Sequence, residues 1–376
     1  MQYVALIIPA WAGARNGYKQ VATLALSSPV LLDTLISVST IYMHLRGIVP
    51  QSVALHRQSQ ALASLRRNIS MLTSSEGGVS QDAACLKRDL LATILLQITV
   101  EMANGTSTIR THLSYALRLF QELGYERSKP TSSIGVVLVQ RITCIDVFSS
   151  IFWHRRPLIP SDFWFFNHEE YKIDETTPSF QETTGCPLWV VFIMSRISHL
   201  VADIQDGAIG DDIAFPRAME LESSLTELAL FHFGTRSNPR WTGSKLLHTV
   251  CECYYWSAVI ILQRRVFKDP RTSQRVQFCL IKLIDLLESL PLGCGPDSQL
   301  SLPLYIAAHV AMTSEHRCRL RAKSSHLSQI YPLKTRTVLT DAFEHIWAVA
   351  DAQAEVHWED QSMAPDLMKD EALFIC

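Results

Sequence analysis

Charged residues are scarce in this chain: they make up 19% of its 376 residues, whereas 48% are hydrophobic. So much apolar side chain fills a large core, which excludes disorder over most of the length. Neither sign of charge dominates, because 34 basic and 36 acidic residues leave a net charge of −2. Nucleic-acid binders carry a basic excess or stripe, so we expect no direct DNA binding.

Paired cysteine spacing is also missing. Nine cysteines are scattered along the chain, and no two of them form a Cys-x-x-Cys pair. Cys251 and Cys253 come nearest to that spacing, but no second pair lies close by. The odd, scattered set indicates free thiols in a reducing compartment, and it predicts neither a disulfide framework nor a metal site. No cofactor is implied, and no cofactor-binding residue can be assigned.

Long apolar runs are absent as well. The run 187–194 falls far short of the ~20 residues that span a bilayer, so we expect no membrane anchor. The apolar segment 3–12 lacks the positive residues that begin a signal peptide, which favours buried structure there. Cys376 is the last residue rather than the fourth from the end, so it forms no prenylation box.

Sequence motifs for catalysis are missing too. The chain has no phosphate-binding loop, no dinucleotide-binding glycine pattern, no G-x-S-x-G elbow and no H-E-x-x-H helix. We therefore predict no catalytic residues and expect that the protein is not an enzyme.

Helical periodicity runs through most of the chain. Apolar residues at three- and four-residue steps predict a helix over 107–123, and Gly124 is placed to end it. The segment 134–152 is rich in Val and Ile, but its length of ~19 residues favours a helix over strands. Similar patterns predict further helices at 29–45, 53–69, 82–102, 135–153, 188–204, 218–231, 244–266, 301–324, before Pro291 and around 338–347.

These helices predict an all-α fold, a large irregular bundle of antiparallel helix pairs with little or no sheet. Residues rich in Gly, Pro, Ser and Asp mark the breaks, including 207–216 and the aromatic-rich 156–186, which we interpret as loops. We expect one domain over 1–376, with halves 1–155 and 156–376 packed together, and no DNA-binding domain within it.

Three groups of residues have the chemistry of sites, each with a competing structural interpretation. His168, Glu169 and Glu170, with Asp174 and Glu175, could bind a cation or act in acid–base chemistry, but a solvated acidic loop is favoured. The basic residues are interpreted as helix-end or ion-paired cations rather than phosphate sites. They are His154, Arg155, Arg156, Arg317, Arg319, Arg321 and Lys323. The aromatic residues could line a pocket for a flat ligand, although core packing is favoured for each one singly. They are Tyr254, Tyr255, Trp256, Trp153 and Trp164.

The order of short motifs resembles the regulatory domain that follows the zinc binuclear cluster in many fungal transcription factors. The match spans nearly the whole chain. Its motifs are individually degenerate, so their order along the chain carries the resemblance. They are Ile7-Ile8-Pro9-Ala10, Asn16-Gly17-Tyr18, 24–29, 56–65, 89–96, 112–119, 302–308, Arg317 with Arg321, 343–347, and Val356-His357-Trp358.

The resemblance implies a transcription regulator that acts in the nucleus as an effector or dimerisation module in control of metabolic genes. It implies protein partners, as a homodimer or as a heterodimer with a zinc-cluster factor, and allows a small-molecule effector. The six cysteines of the zinc cluster have no counterpart in this sequence, so either the chain is a shortened product or it is a stand-alone regulatory domain. The alternatives to this function are a non-catalytic helical scaffold and an enzyme that uses the 168–170 loop.

Overall fold

The computed structural model describes residues 16–74, 81–104, 109–167, 173–233, 245–352 and 358. Of these residues 78% are helical, in fourteen α-helices without a strand, which confirms the all-α prediction. The helices are α1 Gly17–Ala25, α2 Pro29–Leu45, α3 Gln51–Ser74, α4 Gln81–Asn104, α5 Ile109–Glu122, α6 Ser133–Phe152, α7 Phe180–Thr184, α8 Leu188–Gln205, α9 Asp211–Phe233, α10 Lys245–Arg265, α11 Gln274–Ser289, α12 Ser301–Val310, α13 Ser314–Ile330 and α14 Lys334–Ala352. Two 3₁₀ turns, Trp164–Asn167 and Pro296–Gln299, complete the set.

The first helices form a layer of neighbouring pairs. α2 packs against both α3 and α4, and α4 packs against α5. Short connections such as 46–50 make consecutive helices antiparallel neighbours. Gly124 ends α5 as predicted, since it has a φ of +73° and its N–H bonds to the Gln121 carbonyl at 2.8 Å.

Helix α6 lies inside the molecule, with every residue from Gly135 to Phe152 buried. α1 crosses it where Gly17 lies close to Val137, and a Cβ on Gly17 would lie 2.9 Å from a Val137 methyl. The expectation that no apolar segment reaches bilayer-spanning length is wrong, because α6 and α8 are both long and apolar enough to cross a membrane. Other parts of the protein cover 94% of the α6 segment and 67% of the α8 segment, which is how core helices are arranged.

Helix α10 is the centre of the second half of the chain, where it packs against α7, α8, α9, α11 and α12. α14 packs against α12 and α13 and also reaches back to α4. One apolar cluster extends from Tyr18 to Trp358 through nearly all of these helices. The domain assignment, 1–376 with halves 1–155 and 156–376, stays a prediction.

Some helix boundaries differ from those predicted. The predicted helix 301–324 is two helices, because Thr313 breaks the run and its hydroxyl accepts the His316 N–H at 3.1 Å to start α13. The predicted loop 207–216 contains the start of α9. Pro216 is tolerated there because the carbonyl that it leaves unbound lies near the helix start at an exposed surface. The predicted loop 156–186 contains α7, which Ser179 and Glu182 begin with a reciprocal capping box.

Candidate functional site

A groove of about 600 Å³ lies among α9, α10 and α11. Its volume is in the range of sites that bind drug-sized molecules. α9 and α11 form its two walls, and α10 forms its floor. It is a candidate binding site that is lined by described residues alone.

Each wall is one face of a helix. Thr226, Ala229, Leu230 and Phe233 line the groove from α9, and Lys282, Asp285, Leu286 and Ser289 line it from α11. Both sets follow the spacing i, i+3, i+4, i+7, which places their side chains along a single stripe. Leu230 is 68% exposed, so apolar surface is open to solvent at the mouth of the groove.

The floor is aromatic, and it brings together part of the predicted ligand-binding group. Tyr255 and Trp256 both line the groove, with their ring centroids 5.0 Å apart in an edge-to-face arrangement. Phe233 lies 5.8 Å from Tyr255, and Phe278 lies 6.0 Å from Trp256. Aromatic pairs in this geometry hold one another in place, so the floor is preorganised for an apolar ligand.

The other three aromatic residues of that group lie in the packed body. Tyr254 is fully buried, stacks on Phe148 at 5.2 Å and donates a hydrogen bond to the Gln299 carbonyl at 2.6 Å. Trp164 donates its indole N–H to the Tyr125 carbonyl at 2.8 Å. Trp153 lies 5.5 Å from the Arg155 guanidinium. Structural packing therefore explains the positions of Tyr254, Trp164 and Trp153, and the sequence had favoured core packing for each of them taken singly.

Glu252 supplies the one carboxylate on the floor. Its side chain is 28% exposed, and burial raises the pKa of its carboxyl group. Among the described residues its ion-pair neighbour is His248, whose Nδ1 lies 3.7 Å from Glu252 Oε1. Burial lowers the pKa of His248, so that ring is uncharged at neutral pH, and among the described residues no ion pair offsets the charge of Glu252.

The other charged residues around the groove have partners at its edge. Asp285 accepts a hydrogen bond from Arg319 Nη2 at 2.9 Å, and Glu222 pairs with Arg275. The Lys282 ammonium lies 5.5 Å from the centre of the exposed Phe278 ring. Glu252 is thus the half-buried charge on the aromatic floor, while Lys282 and Asp285 belong to the α11 wall.

A buried carboxylate organises the basic segment after α6. Asp146 Oδ1 pairs with Arg155 Nη2 at 2.9 Å, while Oδ2 accepts the N–H groups of Leu158 and Ile159, each at 2.8 Å. Burial raises the pKa of the Asp146 carboxyl, and its contacts with these three residues act in the opposite direction. Arg155 therefore stabilises the loop through a carboxylate and not through the helix dipole alone.

Of the two neighbours of Arg155, Arg156 is ion-paired and His154 is enclosed by the fold. Arg156 bridges to α8, where it lies 2.8 Å from Asp203 and 3.0 Å from Asp206. His154 has a φ of +49°, and its Nε2 atom is enclosed without a hydrogen-bond partner among the described residues. Burial, with Arg265 and His309 nearby, holds the pKa of His154 well below its usual value.

The basic series on α13 is ion-paired, as the sequence favoured. Arg317 pairs with Asp351 at 2.6 Å, Arg319 with Glu288 at 2.6 Å, and Arg321 with Glu344. Lys323 points inward and donates to the Leu290 carbonyl at 2.7 Å. Because carboxylates hold the three guanidinium groups, α13 presents no stripe of free cations to a phosphate backbone.

The acidic loop falls partly outside the described residues, which exclude His168, Glu169 and Glu170. Asp174 closes a turn: bonds from the Thr176 hydroxyl at 2.6 Å and the Ser133 hydroxyl at 2.9 Å help to lower its pKa to about 2. Glu175 is exposed. Both residues thus belong to a solvent-facing turn.

The cysteines of the described ranges are free thiols, and five of them are buried: Cys144, Cys186, Cys251, Cys253 and Cys279. Burial raises the pKa of Cys279 to about 11, so this thiol stays protonated at neutral pH. No group of three or more His, Cys, Asp or Glu side chains in the described part of the chain is arranged to hold a metal ion.

Sequence reasoning missed most of the groove lining. It singled out Tyr255 and Trp256 but neither Glu252 nor the two walls. The wall residues do carry a signal, since 226, 229, 230 and 233 repeat the spacing of 282, 285, 286 and 289. That spacing marks a helix face without showing which other face lies opposite.

Comparison with known protein families gives a match that covers the whole chain. Residues 1–376 match the family described as fungal specific transcription factor domain. The chain matches no curated protein and no solved structure.

Proposed function

The chain belongs to the family of fungal specific transcription factor domains, and from that membership we propose that it is the effector and dimerisation module of a transcription regulator that controls metabolic genes. The family supports a role in transcription regulation. Its match along residues 1–376 is the observation that carries the proposal. We propose that the module acts in the nucleus, by binding and not by catalysis.

The charge distribution supports regulation through partners in preference to direct contact with DNA. The arginines of α13 are bound to Asp351, Glu288 and Glu344, so they release few counterions from a phosphate backbone. We propose that partner chains, either a second copy or a zinc-cluster factor, bring the module to DNA. Isolated protein is then expected not to shift duplex DNA at ~150 mM salt.

The groove supports control by a small molecule. A preorganised aromatic floor with a single half-buried carboxylate favours ligand binding over simple packing. Occupancy of such a site shifts the balance between two states only if the ligand binds one of them better. We propose that this groove is the effector site of the module.

A reporter assay tests the transcriptional role. The full chain, fused to an unrelated DNA-binding domain in fungal cells, is expected to change transcription of a reporter several-fold relative to that DNA-binding domain alone. The folding control is the same fusion with Asp146→Asn, which destabilises the helical body and changes no residue of the groove. Reporter output equal to that of the DNA-binding domain alone, from a fusion shown to be folded and nuclear, would contradict the proposal.

Dimerisation has its own measurement. Sedimentation equilibrium of the isolated chain over a range of concentrations reports its mass, and a self-association constant in the micromolar range or tighter is expected for a homodimer. A monomer at all concentrations excludes the homodimer and leaves the heterodimer, which co-purification with zinc-cluster factors from fungal nuclei then tests.

A further inference from the structure

The groove combines three features that together define a class of ligand. It has a volume of about 600 Å³, its floor carries the rings of Tyr255 and Trp256, and its floor also carries the Glu252 carboxylate. The apolar residues of the walls, Leu230, Phe233 and Leu286, favour an apolar group between them, and aromatic rings favour a cation placed beside them. A half-buried carboxylate favours a cation as well, because an opposite charge offsets the cost of its burial.

Within the described ranges, the charges on the three helices around Glu252 leave that carboxylate for a ligand. On α10 His248 is uncharged at neutral pH, since burial lowers its pKa. On α9 Glu222 is paired with Arg275, and on α11 Asp285 is paired with Arg319. Lys282 lines the α11 wall, but its side chain is exposed and its ammonium lies 5.5 Å from the centre of the Phe278 ring, which does not line the groove.

We propose that the α9–α10–α11 groove binds a small apolar molecule that carries a protonated amine, with the ammonium group beside Glu252 and the apolar part between Leu230 and Leu286. This inference rests on the groove being the effector site, and it names the chemistry of the effector. The ammonium group gains an ion pair with Glu252 and cation–π contact with Tyr255 or Trp256. An anionic ligand gains neither and meets the charge of Glu252.

Three probes of equal shape test the charge requirement: naphthylethylamine, naphthylethanol and naphthylacetate, titrated into the intact chain by calorimetry near neutral pH. The amine is expected to bind at least about tenfold more tightly than the alcohol, a difference of about 1.4 kcal/mol. The acetate is expected to bind most weakly. Equal affinity for the amine and the alcohol overturns the proposal, and so does the absence of amine binding at millimolar concentration.

Two variants locate the binding. Glu252→Gln keeps the size of the side chain, and it is expected to reduce amine affinity to that of the alcohol while alcohol affinity stays within about twofold. Thr226→Trp fills the groove from an exposed wall position and is expected to abolish binding of both compounds. Glu220→Gln, an exposed change elsewhere on α9, is the matched control and is expected to leave all affinities unchanged. Amine affinity that is undiminished in Glu252→Gln, or amine binding that persists in Thr226→Trp, overturns the proposal.

The reporter fusion separates this inference from the function on which it rests. An active fusion whose chain fails to prefer the amine refutes the ligand class and leaves the role in transcription. A chain that binds the amine through Glu252 but never alters the reporter refutes the role in transcription and leaves the binding site.

Discussion

Asp146 offers the sharpest test of how this helical body is held together. Its side chain is fully buried and makes one ion pair, with Arg155 at 2.9 Å, and accepts two backbone N–H groups, each at 2.8 Å. Asn at this position has nearly the same shape but only one acceptor oxygen. Its amide oxygen can face either the guanidinium or the two N–H donors, so one of the two sides loses its acceptor.

The expected loss follows from these contacts. Removing one partner from a buried ion pair costs about 3–5 kcal/mol, and here the change also takes the Asp146 acceptor from either Arg155 or the two backbone N–H groups. Single domains are stable by only about 5–15 kcal/mol, so Asp146→Asn removes a large share of the total. We expect its free energy of unfolding to fall by about 3–5 kcal/mol.

Urea unfolding followed by far-ultraviolet circular dichroism measures this change. Asp203→Asn is the matched control: it is the same substitution in a partly exposed ion pair, with Arg156 at 2.8 Å, and should cost at most about 1 kcal/mol. If the two variants lose the same free energy, then Asp146 does not hold the loop after α6. A change in the slope of the unfolding curve would point instead to an altered denatured state.

Two further predictions concern backbone packing and pH. Gly135→Ala should destabilise the protein by about 1–3 kcal/mol in the same unfolding assay, because the new Cβ would lie 2.7 Å from Pro130 Cβ. Gly210→Ala, which meets only the flexible end of Asp212, should change little, and equal losses would refute the reasoning. His154 stays neutral in the fold, so wild-type stability should fall as pH drops below about 6.5, with His154 contributing up to about 1.4 kcal/mol per pH unit. In His154→Asn this decline should be shallower by that amount. His112, His199 and His248 have pKa values shifted in the same direction, and they contribute equally to both proteins. Parallel stability curves for the two proteins would show that His154 is not held neutral.

Local sequence signals, such as apolar stripes and a terminal glycine, predict the long helices. The stripe on α5 and the left-handed Gly124 lie within a few residues of one another, so the sequence alone predicts where that helix ends. The two shortest helices carry only short local signals, Asn16 before α1 and the Ser179-x-x-Glu182 spacing at α7, with no long apolar stripe. α1 depends on the close approach of Gly17 to Val137, and α7 depends on a capping box within a segment that is otherwise loop.

Local sequence patterns also do not predict the groove. Tyr254 and Tyr255 are chemically identical neighbours, and no local pattern tells which one faces the core. Their positions follow from the Phe148 ring and the Gln299 carbonyl, which hold Tyr254. In the sequence Glu252 is an ordinary helix carboxylate, and only the arrangement of α9 and α11 around α10 places it on the floor of the groove.

The two-sided character of α10 also limits how this protein can vary. Tyr254 on one side of the helix belongs to the core, and Glu252, Tyr255 and Trp256 on the other side form the groove floor. One inserted or deleted residue rotates everything beyond it by about 100°, which would exchange core side chains for groove side chains. Residues of the groove floor can therefore vary one by one among related chains, whereas the length of α10 is fixed by the core that it shares.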